Sequence, residues 1–190
     1  MNYPKELAAL PQWVCWHLEP NPKGGKARKV PYNPMTGRRA SSTDPKSWVS
    51  LEQAMAAQQQ YHYKGLGFVF TAESGIVGVD IDHCVDLGAL NQVASEIVRR
   101  YPTYTEVSPS GTGLHLFYRG AMTAKSNKNS DTGVEMYAHS RFFTMSVFMK
   151  RKPPERSTRV AGTQPATREA PLSVRKPQYP TMIAHPLLTR

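Results

Sequence analysis

Two short apolar runs, Gly65-Leu-Gly-Phe-Val-Phe70 and Ile76-Val-Gly-Val-Asp-Ile81, follow one another across a turn at Glu73-Ser74-Gly75. Runs of this length, rich in Val, Ile and Phe and bounded by glycine, fit strands better than helices. Such strands commit the chain to a sheet. Alternation along the second strand then sends Val79 and Ile81 into the core and puts Asp80 and Asp82 together on its other side.

The flanking sequence surrounds these strands with mixed elements. A short helix is expected over residues 5–10, stopped by Pro11, and a strand over 13–16. Residues 20–43 carry six basic side chains and no acid, with turn signals at Lys23-Gly24-Gly25 and Met35-Thr36-Gly37, so they form a basic loop or a hairpin with a basic tip. Thr43-Asp44-Pro45 opens a helix, with Asp44 as its N-cap, that Trp48, Leu51 and Met55 continue at helical spacing. An amphipathic helix is predicted over 90–101, strands over 103–107 and 114–118, and a final strand pair over 134–137 and 142–147 across Ala138-His139-Ser140-Arg141. Trp13, Trp16, Trp48, Phe68, Phe70 and Phe117 read as core. Tyr61, His62 and Tyr63 close a Gln-rich helix and offer either a base-stacking surface or a helix end packed on the sheet. Strands with interspersed helices indicate an α+β domain.

That domain is expected over residues 1–149. Residues 150–190 hold 7 of the 16 prolines and no sustained apolar period, and are predicted to be a disordered Pro/Arg-rich tail. The formal net charge of +10 divides unevenly: residues 1–150 have 16 basic and 12 acidic side chains (+4), and residues 151–190 have 8 and 2 (+6). This excess suits a polyanionic partner without identifying one. No apolar run approaches the ~20 residues of a membrane span, so no membrane association is expected. The N-terminus lacks a signal-peptide pattern, and two cysteines provide no disulfide framework, so a reducing cytosol is the expected compartment.

Three segments carry the candidate chemistry. Two carboxylates as close as Asp80 and Asp82 repel, and a cation between them keeps both ionised cheaply. Hard oxygen donors on a strand suit Mg2+ or Mn2+, although the pair by itself reads equally as two surface acids at a solvated strand end. In Ser108-Pro-Ser110-Gly111-Thr-Gly113-Leu-His115, the two glycines let backbone N–H groups approach a phosphate, Ser108 and Ser110 add neutral donors, and His115 faces away from the adjacent leucines. An ordinary Gly-rich hairpin reads the same way. No G-K-[ST] sequence is present, which argues against a Walker-type motor. In the third segment Glu135 faces away from Val134 and Met136, and Arg141 follows at a turn, suited either to gripping phosphate or to pairing with Glu135 across a hairpin. Together these residues match metal-assisted phosphoryl transfer.

In this order the segments resemble the archaeo-eukaryotic primase superfamily, in the bifunctional primase–polymerase branch found in phage and plasmid replication proteins. The D-x-D strand (Asp80, Asp82), the S-G-x-G-x-H element (Ser110 to His115), the strand acid in GVEMY (Glu135) and the R-F-F-T stretch from Arg141 to Thr144 carry the resemblance. The W-V-x-W, K-V-P-Y-N-P-x-T-G and T-D-P-x-x-W segments also match it, so that the likeness covers about residues 10–146. It implies an RRM-like antiparallel sheet with flanking helices and template-directed nucleotidyl transfer, that is, DNA primase and DNA polymerase activity in phage or plasmid-type replication. By the same resemblance Asp80, Asp82 and Glu135 would hold two divalent ions, with Asp80, Asp82, Glu135 and His115 catalytic. Ser108, Ser110, Gly111, Gly113, His115 and Arg141 would bind the nucleotide, and Lys26, Arg28 and Lys29 would touch nucleic acid. The implied partners are a single-stranded DNA template, nucleoside triphosphates and a separately encoded replicative helicase. The sequence departs from the family pattern after Thr144, where it runs into the Pro/Arg tail, and it lacks the helical extension and helicase domain of larger relatives. A truncated, inactive single-stranded nucleic-acid-binding remnant is therefore the competing expectation.

Overall fold

A computed structural model describes residues 3–122, 127–146 and 182–187. Its elements are α1 (Lys5–Ala8), β1 (Trp13–Glu19), β2 (Arg28–Tyr32), α2 (Leu51–Tyr61), β3 (Gly65–Phe70), β4 (Ile76–Ile81), β5 (Val85–Asp86), β6 (Ala89–Leu90), α3 (Gln92–Arg100), β7 (Tyr104–Val107), β8 (Leu114–Met122), β9 (Lys128–Asn129), β10 (Val134–Tyr137), β11 (Arg141–Thr144) and β12 (Met182–Pro186). The α+β class follows from the sequence as expected.

The strands form two antiparallel sheets and a small β5–β6 hairpin. The first sheet has the order β11-β3-β1-β2, and the second runs β8-β4-β10-β9 with β7 and β12 end to end along the outer edge of β8. Consecutive strands β3 and β4 lie in different sheets, and so do β10 and β11. The expected hairpin across Ala138–Arg141 is therefore incorrect. The residues between β10 and β11 turn the chain from one sheet into the other, with Ser140 in the left-handed region (φ 55). Turn chemistry specifies a change of direction, whereas packing selects the strand that receives it.

Two cores result. Trp13, Cys15, Leu66, Phe68 and Phe70 of the first sheet pack with Leu7, Ala54 and Ala57 of α1 and α2, and Ile76 and Phe117 of the second sheet join them. Full burial of each such aromatic contributes about 1.5–3 kcal/mol. On the opposite face of the second sheet, Val77, Val79, Ile81, Leu114, Leu116, Val134 and Met136 meet Ala94 and Ile97 of α3. The sheets touch through Gly78, where an added Cβ would lie 2.4 Å from Phe70 Cζ and 2.6 Å from Phe143 Cε2. Only a residue without a side chain lets both rings rest on β4.

Other expectations shift in detail. Asp44 caps a short 3-10 turn, Pro45–Ser47, and α2 begins later, at a capping box in which Ser50 and Gln53 bond reciprocally. The basic segment is a hairpin, β1 paired with β2, whose tip lies between Glu19 and Arg28. Most of the expected tail lies outside the described residues. Within it, Met182–Pro186 pairs with β8, from Met182↔Met122 to Pro186↔Tyr118, and Leu187 is buried in the first core. An edge strand ending in proline tolerates the lost donor.

Candidate active site

Strand register builds a transverse row of ionisable side chains on the second sheet. Asp80 of β4 pairs with His115 of β8 on one side and with Glu135 of β10 on the other. Glu106 of β7 pairs in turn with His115, and Lys128 of β9 with Glu135. Cross-strand partners share a face. Glu106, His115, Asp80, Glu135 and Lys128 therefore line up across five strands, on the face opposite the α3 core.

His115 is the most constrained member. It is 4 % exposed, its ring stacks on Phe143 at 4.6 Å with an interplanar angle of 23°, and its Nδ1 lies 3.3 Å from Glu106 Oε1. Glu106 is itself buried, and also accepts hydrogen bonds from the Tyr104 hydroxyl (3.1 Å) and the Ser146 N–H (3.1 Å). A carboxylate on Nδ1 fixes the tautomer and leaves Nε2 directed toward Asp80, 3.9 Å away, an ion-pair separation rather than a hydrogen bond.

The carboxylates differ in their surroundings. Burial pushes the Asp80 carboxyl above its ordinary range; His115 opposes that shift, and Asp82 and Glu135 add to it. Glu135 is held below its ordinary range by hydrogen bonds from Lys128 and Tyr137. Burial, and then this bond to Glu135, raises the Tyr137 hydroxyl to about 12, and the Arg141 guanidinium lies 4.7 Å above the Tyr137 ring. Asp82, just past the end of β4, is exposed, and its N–H donates to the Gly133 carbonyl at 3.3 Å.

Among the described residues no three His, Cys, Asp or Glu side chains converge into a formed metal cage. Even so, the donor set fits a hard divalent cation. Asp80, Asp82 and Glu135 supply only oxygen ligands, the burial and then the neighbouring acids that raise Asp80 disfavour its charge in a way a cation relieves, and Glu135 already bonds the ammonium of Lys128.

The Ser/Gly loop lies beside these acids. An added Cβ at Gly113 would come 2.9 Å from the Ile81 carbonyl oxygen and 3.7 Å from Asp82 Cα, so glycine pins the loop against the end of β4. Ser108 and Ser110 share a hydrogen bond (2.8 Å), as do Ser110 and Thr112 (3.2 Å). The Gly111 N–H donates to the Ser108 carbonyl (2.8 Å) and closes the turn. The hydroxyl chain is the loop's more available polar surface.

Of the three expected nucleic-acid contacts, Lys29 reaches the site. Its Nζ donates to Thr144 Oγ1 at 3.1 Å and lies 5.9 Å from the centre of the Trp16 ring. Lys29 is an exposed residue overall, yet desolvation of its ammonium lowers its pKa, with Asp80 and Asp82 pulling the other way. Arg28 alternates with it along β2 and pairs in register with Glu19, while Lys26 lies in the hairpin tip. The residues that sequence reasoning missed are Glu106, Tyr104, Tyr137 and Lys128. The available signal for the first two was their spacing, since Glu106 and Tyr104 alternate onto one face of a strand adjoining His115.

The chain matches the family described as "Bifunctional DNA primase/polymerase, N-terminal" over residues 5–173. It is also 34 % identical over 148 residues to the DNA primase-polymerase of Nitratiruptor phage NrS-1, covering 75 % of this chain and 20 % of that protein. The chain thus spans about a fifth of that relative's length. Among the described residues no helix is long and apolar enough to cross a membrane. A family match over most of the chain, together with the shared phage relative, identifies the protein as a member of the bifunctional DNA primase/polymerase N-terminal family.

Proposed function

We propose that this chain performs template-directed nucleotidyl transfer, joining nucleoside triphosphates along a single-stranded DNA template as the primase and polymerase of a phage or plasmid-type replication system. The observation that carries this reading is the register of His115, Asp80 and Glu135 on adjacent strands, with the Ser/Gly loop beside them. Asp80, Asp82 and Glu135 are the residues to hold two divalent cations. Bound there, Mg2+ or Mn2+ would supply activation of the attacking 3′-hydroxyl and neutralisation of charge on the departing pyrophosphate.

The remaining roles belong to the side chains. His115, oriented by Glu106 through Nδ1, presents Nε2 to a phosphate oxygen and, when both ring nitrogens are protonated, stabilises its charge or delivers the Nε2 proton. Arg141, held over Tyr137, grips phosphate oxygens with its planar fork. Ser108 and Ser110 offer hydroxyl donors from the adjoining loop. Lys29 adds positive charge where the template or triphosphate approaches Asp80. Expected partners are a DNA template, nucleoside triphosphates and a separately encoded helicase, in a cytoplasmic setting.

The test is incorporation of labelled nucleotides on a single-stranded template with Mn2+ or Mg2+. Wild type is expected to incorporate nucleotide, and the Asp80→Ala/Asp82→Ala variant to lose that activity. Equal incorporation by the two proteins overturns the assignment. Strand binding without incorporation, unchanged by metal, supports the inactive-remnant alternative instead.

A further inference from the structure

On the β1–β2 hairpin, away from the acidic row, lies a cleft of about 430 Å³ lined by His17, Tyr32, Met35, Tyr61 and Tyr63 and by the Thr36-Gly37 turn. Its four rings form a contiguous surface. His17 lies 4.9 Å from Tyr63 and 5.7 Å from Tyr32, Tyr32 lies 5.9 Å from Tyr63, and Tyr61 extends the set at 6.3 Å from Tyr63. Tyr63 packs partly on the first core and has a structural use. Tyr61 and Met35, on the rim, are 56 % and 64 % exposed. Large apolar side chains gathered and left in water mark a binding surface.

We propose that this cleft holds an unpaired base of single-stranded nucleic acid. Aromatic faces stack on any base, and a cation-rich surround tracks the phosphates. The surround here comes from the segment 20–43, which has six basic side chains and no acid, although one of the six, Lys29, lies on the other face of the sheet. Arg38 and Arg39 directly follow the Thr36-Gly37 wall, and the nearby acid Glu19 is already neutralised by Arg39 and bonded by the Tyr32 hydroxyl. That charge separates a nucleic-acid strand from an uncharged sugar or a basic peptide as occupant.

The position also suits a strand engaged at the acidic row. In the β1–β2 register His17 faces Val30 and Cys15 faces Tyr32, whereas Lys29 faces Leu18. Alternation therefore directs Tyr32 and His17 to one face of the sheet and Lys29 to the other. β2 is the outer strand of the first sheet, so a chain leaving Lys29 rounds a single sheet edge to reach Tyr32. The choice of a nucleic-acid strand as occupant rests on the proposed function, but stacking in the cleft requires neither metal nor catalysis.

The experiment measures binding of a short oligothymidine to the full chain by fluorescence anisotropy, against a strand of the same length and charge whose central nucleotides are abasic. The wild-type protein is expected to bind the base-bearing strand about fivefold or more tightly, the range that loss of one stacked base gives. Tyr61→Ala, at an exposed position that leaves the core intact, should reduce this preference to near unity, and Tyr61→Trp should retain it. Equal affinity for the two strands, an unchanged preference in Tyr61→Ala, or no binding of either strand overturns the proposal. Asp80→Ala/Asp82→Ala should keep the preference while losing incorporation, so failure of the catalytic reading and failure of the cleft give different results.

Discussion

Asp80 and Glu135 are cross-strand partners whose carboxyl groups shift in opposite directions. Asp80 is raised by burial and by its acidic neighbours, whereas Glu135 is lowered by Lys128 and Tyr137. The row thus contains one acid whose nearest basic partner in the row, His115 Nε2, lies 3.9 Å away and one already hydrogen-bonded to an ammonium, so an added cation gains most at Asp80.

This asymmetry makes stability depend on pH and metal. Ionised Asp80 costs stability because its folded pKa exceeds the unfolded value. The cost is absent below the ordinary Asp range and grows as pH rises through the raised folded value. Asp80→Asn should therefore raise Tm at neutral pH without divalent ions, on the order of 1 kcal/mol or roughly 2–4 °C, with the gain fading in acid. Mn2+ should raise the wild-type Tm and leave that of the variant nearly unchanged. Thermal melts at neutral and acid pH, with and without Mn2+, check both statements.

Glu106 acts through His115. Glu106→Gln keeps the size and a hydrogen-bonding group but removes the charge that orients the imidazole, and should lower turnover by about 10–100-fold, the usual cost of losing such a supporting partner. Nucleotide KM should move less than kcat, with Tm near wild type. Glu106→Ala also removes the acceptor of the half-buried Tyr104 hydroxyl and Ser146 N–H, at about 1 kcal/mol for each hydrogen bond lost. Steady-state kinetics together with denaturant melts separates orientation from folding.

Gly78 sets the contact between the sheets. A methyl group there overlaps the rings of Phe70 and Phe143, and Phe143 also stacks on His115. Gly78→Ala should destabilise by about 1–3 kcal/mol or more and reduce activity by displacing His115. Urea unfolding is the direct check, with an unchanged midpoint as the contrary result.

The α2 capping box gives a prediction independent of function. Ser50→Ala removes the acceptor for the Gln53 N–H at 3.2 Å and should cost about 1 kcal/mol, with nucleotide incorporation retained.

Much of this architecture was legible because its strands announce themselves locally. Gly65–Phe70, Ile76–Ile81 and Val134–Tyr137 have apolar content and glycine bounds that set their limits, and alternation alone put Asp80, His115 and Glu135 on the faces they occupy. Pairing was harder to read, because it is decided between distant segments. The turn after Tyr137 looks like a hairpin, yet β11 pairs with β3 because Phe143 belongs over Phe70 and Gly78. The β5–β6 hairpin was missed because its turn puts Leu87 at φ 46, where asparagine or glycine is the usual signal. Glu106 was overlooked because one acid in a strand ordinarily reads as solvent-facing. β12 was hidden by the prolines around it.

The most direct test of the acidic row is a titration of nucleoside triphosphate into the full chain by calorimetry, with and without Mn2+, for wild type and for Asp80→Ala/Asp82→Ala. The account predicts binding that Mn2+ strengthens by at least tenfold in wild type and leaves unchanged in the variant. Nucleotide affinity that is the same with and without Mn2+ in wild type, or the same metal response in the variant, would contradict it.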